Sequence, residues 1–496
     1  MPLQNVMLHS ARTYLFALIL GVSALSAPDA LSAAEGPEVR VHIMNSMDLN
    51  MMSVTARNGS VQIISRGISF SVRAGETIRI TRRGSEVQVK AGRRTIKSSF
   101  VTIKGAPGGS FTIQVPTSSG SRTYSGSLEI RTDRSNSELQ IVNLVPLEDY
   151  VASVVGSEYG LDDLQGAKAM AIVARTYALH ALQQGKSLLD DERSQVYQGL
   201  SHATTASRRA ALETAGQVLK YRGNLIEAVY SASNGGRSAT NESIWGSKPL
   251  PYLRSRKDPF DTKTSPYASW SWSVDESKLL KALSRAYGFS VKKVKISSSK
   301  EGRVEEVRLD GKSTSREISG SSFRATVARA FGGRTLRSTY FSVKKRRGSY
   351  TFDGHGFGHG VGLSQWGAHG MALAGRSFSQ ILDFYYSGTK LERIASSDAD
   401  FSAVEVTVLS GPSQTRSSEP VISNAGSRSL TGKSASLQRV SNRSATPKEK
   451  RSTISTTDSG RTISAKNVWG SSKKGDTDPK VETKRTSKKR TSRSGW

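Results

Sequence analysis

The chain has 496 residues, with 71 Lys and Arg against 41 Asp and Glu, seven His and no Cys. Its length admits two or three domains, and the absence of Cys excludes disulfides, thiolate metal sites and a cysteine nucleophile. Hydrophobic residues make up only 36%, few for a chain that packs throughout, and the net charge of +30 points to nucleic acid, anionic lipid or an acidic wall polymer as partner.

Residues 1–34 read as a secretory signal. Arg12 supplies the positive charge, Tyr14–Ala27 is an uncharged apolar run, and Ser32-Ala33-Ala34 offers small residues for cleavage. The plainer alternative is an uncleaved N-terminal anchor, although the run is short for a spanning helix, which needs about 20 apolar residues. An exported chain, in periplasm or cell wall, has little use for nucleic acid, so an acidic extracytoplasmic polymer is the expected partner. Residues 37–130 alternate apolar and polar positions between Gly-rich turns, as in Val39-Arg40-Val41-His42-Ile43 and Thr77-Ile78-Arg79-Ile80. Period-two alternation at this spacing predicts small antiparallel strands. A strand pair follows at Ser127–Arg131 and Leu139–Leu144.

The period then changes. Asp149–Glu158 and Leu164–Gln184 carry apolar residues at helical spacing, with Leu164, Ala167, Ala171, Ala174 and Ala178 on one side. A further helix is predicted over Ser207–Ala215, strands over Val218–Tyr221 and Ile226–Tyr230, and an amphipathic helix over Phe378–Tyr386. From about residue 396, Ser, Thr, Lys and Arg dominate; residues 401–496 hold 19 Lys and Arg against 7 Asp and Glu. Such a composition buries too little apolar area to offset chain entropy, so a disordered basic tail is expected, drawn to acidic wall polymer or a membrane surface.

Few residues in the apolar segments can carry chemistry. Glu158 ends an apolar run before a Tyr-Gly turn. Apolar neighbours raise a carboxyl pKa, which suits a general acid; the plainer alternative is a solvated helix end. Lys168 and Arg175 lie seven residues apart on one helix face, placed to hold Glu158 or an anionic substrate, or merely to solvate that face. Tyr230, Ser231, Ser233, Asn234, Gly235 and Gly236 form a hydroxyl-rich turn suited to a polyhydroxylated ligand, and Trp245 and Tyr252 offer faces for sugar rings or for core packing. Glycines 354, 356, 358, 360 and 362 alternate around His355 and His359, allowing close backbone approach. The H-x-x-x-H spacing suits zinc only on a helix, which alternating Gly opposes. No metal and no cofactor are expected.

Together, VPLEDYVASVVGSEYG, LQGAKAMAIVARTYAL, SQVYQG, YSASNGGRSATNESIWG with PYLRSRKDPFD, and GHGFGHGVGLSQWGAHGMA resemble, in this order, the SpoIID/LytB family. The resemblance runs from about Tyr124 to Leu391, and the N-terminal strands and basic tail lie outside it. With the segments read from composition and alternation, the expected organisation is α+β: a signal over 1–34, a β-rich module over 35–122, a mixed catalytic domain over 123–395 and the tail over 396–496. The resemblance implies action on peptidoglycan glycan strands by a lytic transglycosylase that leaves 1,6-anhydro-MurNAc ends. Glu158 falls on the family's catalytic acid, Lys168 and Arg175 on the basic pair of the next helix. The substrate-binding blocks fall on Ser231–Gly236, His355 and His359, with Tyr230, Gln365 and Trp366 in the same segments. Some members bind zinc through a His and two Cys near SQVYQG; here Leu189 and Ser194 stand at the apparent Cys positions. Other members are amidase enhancers, which implies a cell-wall amidase as an alternative partner. A third possibility is a structural wall anchor acting through its tail.

Overall fold

The computed structural model describes residues 37–394 apart from 117–119 and 134–137. The predicted signal and basic tail lie outside the described residues. The fold is α+β. Two antiparallel-dominated sheets open the chain. The seven-stranded sheet runs Leu188–Leu189, Glu38–Ile43, Leu139–Pro146, Ser127–Thr132, Phe100–Gly105, Val61–Ser65, Ile68–Val72. The six-stranded sheet runs Ser121–Tyr124, Ser110–Gln114, Met51–Asn58, Thr77–Arg83, Glu86–Ala91, Arg94–Ser98. Alternation does what the sequence predicts: Val39, Val41 and Ile43 are buried while their neighbours reach the surface side. Both sheets send one face into the same core as the helices. The larger sheet also crosses the expected boundary at 122/123, because Glu38–Ile43 pairs with Leu139–Pro146 from Glu38↔Pro146 to Ile43↔Ile141.

Helix α1 (Leu147–Glu158) leaves the strand Leu139–Pro146 with no loop between. Pro146 sits at its N-cap, where a missing N–H is harmless. Tyr150, Val151, Val154 and Val155 face the core. Helix α2 (Leu164–Gln183) is capped by Asp163, whose carboxylate accepts from the Gly166 N–H at 2.5 Å. Its alanines 167, 171, 174 and 178 are buried as the period predicts.

Next come α3 (Thr205–Glu213), α4 (Asn241–Trp245) and α5 (Pro259–Thr264). Helix α3 begins two residues before its predicted start because the Thr204 side chain caps it through the Ser207 N–H. The strand predicted over Ile226–Tyr230 shrinks to Tyr230–Ser231, since the Val229 N–H turns back to the Glu227 carbonyl at 3.0 Å.

A second hydrophobic core follows, unassigned by sequence reading. It contains α6 (Glu276–Tyr287), α7 (Gly320–Phe331) and two three-stranded sheets, and is built on Leu279, Leu283, Phe323, Val327 and Phe352. This unit leaves and rejoins the main body at adjacent points: Trp270 pairs with Gly354, and the Gly356 N–H donates to the Tyr267 carbonyl at 2.7 Å. Helices α8 (Gln365–Leu373) and α9 (Phe378–Tyr385) return to the first core.

Candidate active site

Glu158 is the last residue of α1 and is 5% exposed. Burial pushes its carboxyl up to about 7, opposed by donors from the Val196 N–H, Tyr230 and Gln365, while the nearby Glu192 charge raises it further. Val196 N–H donates to Oε1 at 2.9 Å. A chain of buried side chains aims the Tyr230 hydroxyl. Tyr150 donates to Gln195 Oε1 at 3.0 Å, and Gln195 Nε2 donates to the Tyr230 oxygen at 3.2 Å. With its oxygen accepting from Gln195, the Tyr230 proton is free to point at Glu158. Gln365 lies beside the carboxylate and favours its charged form, yet its buried amide atoms complete no hydrogen bond of normal geometry among the described residues.

Distant segments meet here through backbone pairing. The strand Tyr230–Ser231 runs parallel to Leu363–Ser364, with Tyr230↔Leu363 in register. Gln365 opens α8 one residue later, so the pairing brings Tyr230 and Gln365 to the same carboxyl. The turn after Tyr230 and the alternating-Gly loop also press backbone to backbone. Ser233 bridges Phe357, and Gly356 has φ +75° with a Cβ position only 2.7 Å from the Ser233 carbonyl oxygen. The close approach predicted for these glycines is therefore to a neighbouring loop of the same chain.

Several candidate residues are occupied elsewhere. Arg175 is fully buried and forms a two-pronged pair with Glu148, at 2.9 Å from Nε and 2.5 Å from Nη2. It also donates to the Gln217 and Ala211 carbonyls. Lys168 pairs with Glu213 and lies over the Phe378 ring. Neither cation pairs with Glu158, which corrects the expectation that they hold it: their shared helix face packs on α3, and α3 supplies Glu213 and the Ala211 carbonyl.

The hydroxyl-rich turn is likewise committed internally. Ser231 Oγ accepts from the Gly360 N–H at 3.2 Å. Ser233 Oγ donates to Asp261 at 2.8 Å, the Asn234 and Gly235 N–H groups bond the same carboxylate, and Asn234 Nδ2 donates to Asp258 at 2.7 Å. The Gly236 N–H donates to Asn234 Oδ1 at 2.9 Å. Burial raises Asp261 to about 6, against donors that include Ser364. These groups fasten the start of α5, so their predicted ligand contacts give way to internal ones.

The aromatic and histidine candidates separate into distinct surroundings. His359 is buried, its ring 5.2 Å from half-buried Trp245. Its Nδ1 accepts from the Val361 N–H at 3.0 Å, so Nε2 carries the proton and faces the Tyr230 carbonyl. Burial lowers its pKa to about 3, which keeps the ring neutral. His355 is exposed, bonds the Ala268 carbonyl at 2.7 Å and lies 5.3 Å from the Tyr340 ring. Tyr252 is buried against Tyr221, its hydroxyl accepting from the Glu227 N–H at 3.1 Å. Trp366 is buried and packs on His369 at 5.8 Å.

At the apparent zinc positions Leu189 has no donor side-chain atom, and its N–H bonds Ser194 Oγ at 3.1 Å. These residues do not fit a zinc site, and among the described residues no cluster of three His, Asp or Glu is placed to hold a metal. Gln195, Val196, Tyr150 and Glu192 went unselected in the sequence, although the first two lie in the SQVYQG block. Hollows of about 330 Å³ beside Trp272 and Phe331 and about 280 Å³ beside Trp270 and His355 lie in the second unit, and Glu158 lines neither.

The stage II sporulation protein family matches residues 135–221, which hold Glu158, Gln195 and Val196. Stage II sporulation protein D of Bacillus subtilis (strain 168) is 31% identical over 285 residues, covering 51% of this chain and 76% of that protein. The chain belongs to the stage II sporulation protein D family. The same-named protein of Bacillus amyloliquefaciens is 30% identical over 271 residues, covering 50% of this chain and 75% of its own length. An amidase enhancer of Bacillus subtilis (strain 168) is 30% identical over 271 residues, 46% of this chain; the match spans only 38% of that longer protein. Residues 259–362, which hold the whole second unit together with α5 and the alternating-Gly loop, match a domain of unknown function (DUF8618).

Proposed function

We propose that this protein is an exported peptidoglycan lytic transglycosylase that cuts MurNAc–GlcNAc bonds, with Glu158 as its acid and base. The observation that carries the reading is one buried carboxyl poised near neutrality between a backbone N–H and a directed tyrosine hydroxyl. At that pKa a carboxyl is protonated often enough to donate and basic enough, once ionised, to accept. In the proposed reaction Glu158 gives its proton to the bridging oxygen as the anomeric carbon becomes oxocarbenium-like. The sugar's C6 hydroxyl then attacks that carbon and returns its proton to the carboxylate. No water, second carboxylate or metal takes part. Tyr230 and Val196 stabilise the ionised form, and Gln195 holds Tyr230 in place.

The test uses peptide-free glycan strands and mass spectrometry. The unaltered protein releases 1,6-anhydro-MurNAc ends and Glu158→Gln does not. Equal release by the two proteins removes Glu158 from the role.

A second reading, a wall-binding enhancer of a separate amidase, is favoured by two observations. Glu158 is only 5% exposed, and one relative is named an amidase enhancer. Under that reading no anhydro ends form, and added protein raises amidase turnover instead. The basic tail serves either reading by holding acidic wall polymer or a membrane surface; deleting 396–496 weakens that binding and makes what remains more salt-resistant.

A further inference from the structure

Two arginines of the second unit reach the seam beside His359, and among the described residues no carboxylate pairs with them. Arg303 is 3% exposed. Its Nη2 donates to the Asn234 carbonyl at 2.7 Å and the Arg237 carbonyl at 3.0 Å, while Nη1 is buried with no hydrogen-bond partner among the described residues. Its guanidinium carbon lies 5.1 Å from the Tyr340 ring centroid. Arg324, on α7, is half-buried; its Nε donates to the Leu336 carbonyl at 2.9 Å.

Among the described residues neither arginine forms an ion pair. Asp261 is close enough to favour the charge of Arg303, but its oxygens are bonded by Ser233, Asn234, Gly235 and Ser364. Burial lowers both guanidinium groups to about 10, and the Arg324 charge depresses Arg303 further. Both charges also act on His359, which stays neutral and supplies no anion. Buried cations are ordinarily paired, and an unpaired Nη in a low-dielectric seam is a strong donor waiting for an oxygen. Helix α7 touches α4 through Ser321 Oγ and the Ile244 carbonyl at 3.2 Å, which brings half-buried Trp245 to the same place.

We propose that Arg303 and Arg324, with Trp245 beside them, form an oxyanion site that takes a carboxylate of the cell-wall glycan. The proposal rests on the peptidoglycan reading above and names one of its contacts. A planar guanidinium fork matches the two oxygens of a carboxylate, and Trp245 offers an apolar face to the sugar that carries it. The site joins the catalytic candidate by a short route. His359 Nε2 meets the Tyr230 carbonyl, and the Tyr230 hydroxyl meets Glu158. Two carboxylates of the wall share this chemistry: the lactyl group of muramic acid, free once its peptide is gone, and the carboxylates of an attached peptide.

The test measures binding of single GlcNAc–MurNAc disaccharides to the full chain by calorimetry. These ligands lack the MurNAc–GlcNAc link, so binding is read without cleavage. One pair compares the free lactyl acid with its methyl amide; a second compares a disaccharide-peptide with the same molecule amidated at its peptide carboxylates. Neutralising the recognised carboxylate weakens binding at least about tenfold, the scale of a lost charge-assisted hydrogen bond. The pair that responds identifies the source. Arg324→Gln abolishes that difference. If neither neutralisation weakens binding, or if Arg324→Gln leaves the difference intact, the proposal is overturned. The ligand pairs are compared on unaltered protein, so the test does not depend on a variant folding. The disaccharides carry no cleavable link, so failure here and failure of the proposed cleavage read out separately.

Discussion

Replacing Glu158 by glutamine preserves the shape of the side chain and an oxygen for the Val196 N–H, but removes the charge at every pH. The folded carboxyl titrates at about 7 and the ordinary value is 4.5. Between those values the folded chain keeps a proton that the unfolded chain has released. Stability of the parent therefore falls as pH rises from about 4.5 through about 7 and levels off above. The window is about 2.5 pH units wide, and at about 1.4 kcal/mol per unit the cost is on the order of 3–4 kcal/mol. Glutamine carries no such cost. The variant is expected to be more stable than the parent by up to about 3–4 kcal/mol at pH 8.5 and nearly equal to it at pH 4. Urea unfolding at the two pH values measures both differences. A gap that is the same at pH 4 and pH 8.5, or one that favours the parent at high pH, refutes the buried-carboxyl argument whatever the variant's activity.

Tyr230→Phe removes a donor to the ionised carboxyl, so the Glu158 pKa should climb by about 1–2 pH units; carbon-13 NMR titration of the glutamate carboxyls reads it, and an unmoved resonance rejects the directed hydroxyl. Arg175→Ala strips a buried guanidinium from Glu148 and two carbonyls and should lower unfolding free energy by about 3–5 kcal/mol. Lysine at that position recovers little, because it lacks the planar fork. Gly356→Ala places a Cβ against the Ser233 carbonyl at positive φ, and calorimetric unfolding should show a loss of about 1–3 kcal/mol. A near-neutral result would mean that the two loops part easily.

What the sequence made legible followed period and punctuation. Helices α1 and α2 announce themselves by apolar spacing, and the strands before them by alternation. Glu158 stands out as a carboxylate at the end of an apolar run, a position that burial makes chemically distinct. Lys168 and Arg175 share a helix face as their spacing says. Spacing cannot say which neighbour that face meets, and here it meets α3. The second unit was unread because its apolar residues are sparse: only Leu279 and Leu283 of α6 are fully buried. Gln195 acts through a hydrogen-bond relay assembled by tertiary packing, which leaves no local pattern. The hydroxyl-rich turn looked like a ligand site because its polar groups are many. Their partners, Asp258 and Asp261, stand more than twenty residues away in the chain.

The arrangement of the second unit has an evolutionary consequence. Because Trp270 and Gly354 are side by side where it departs and returns, the intervening stretch behaves as a cassette hung on one pair of hinges. All members of the Glu158 relay lie outside it, so sequence changes confined to the cassette replace none of them. Arg303 and Arg324 travel with the cassette, so exchanging it would rewrite the charge offered to the ligand while sparing the acid.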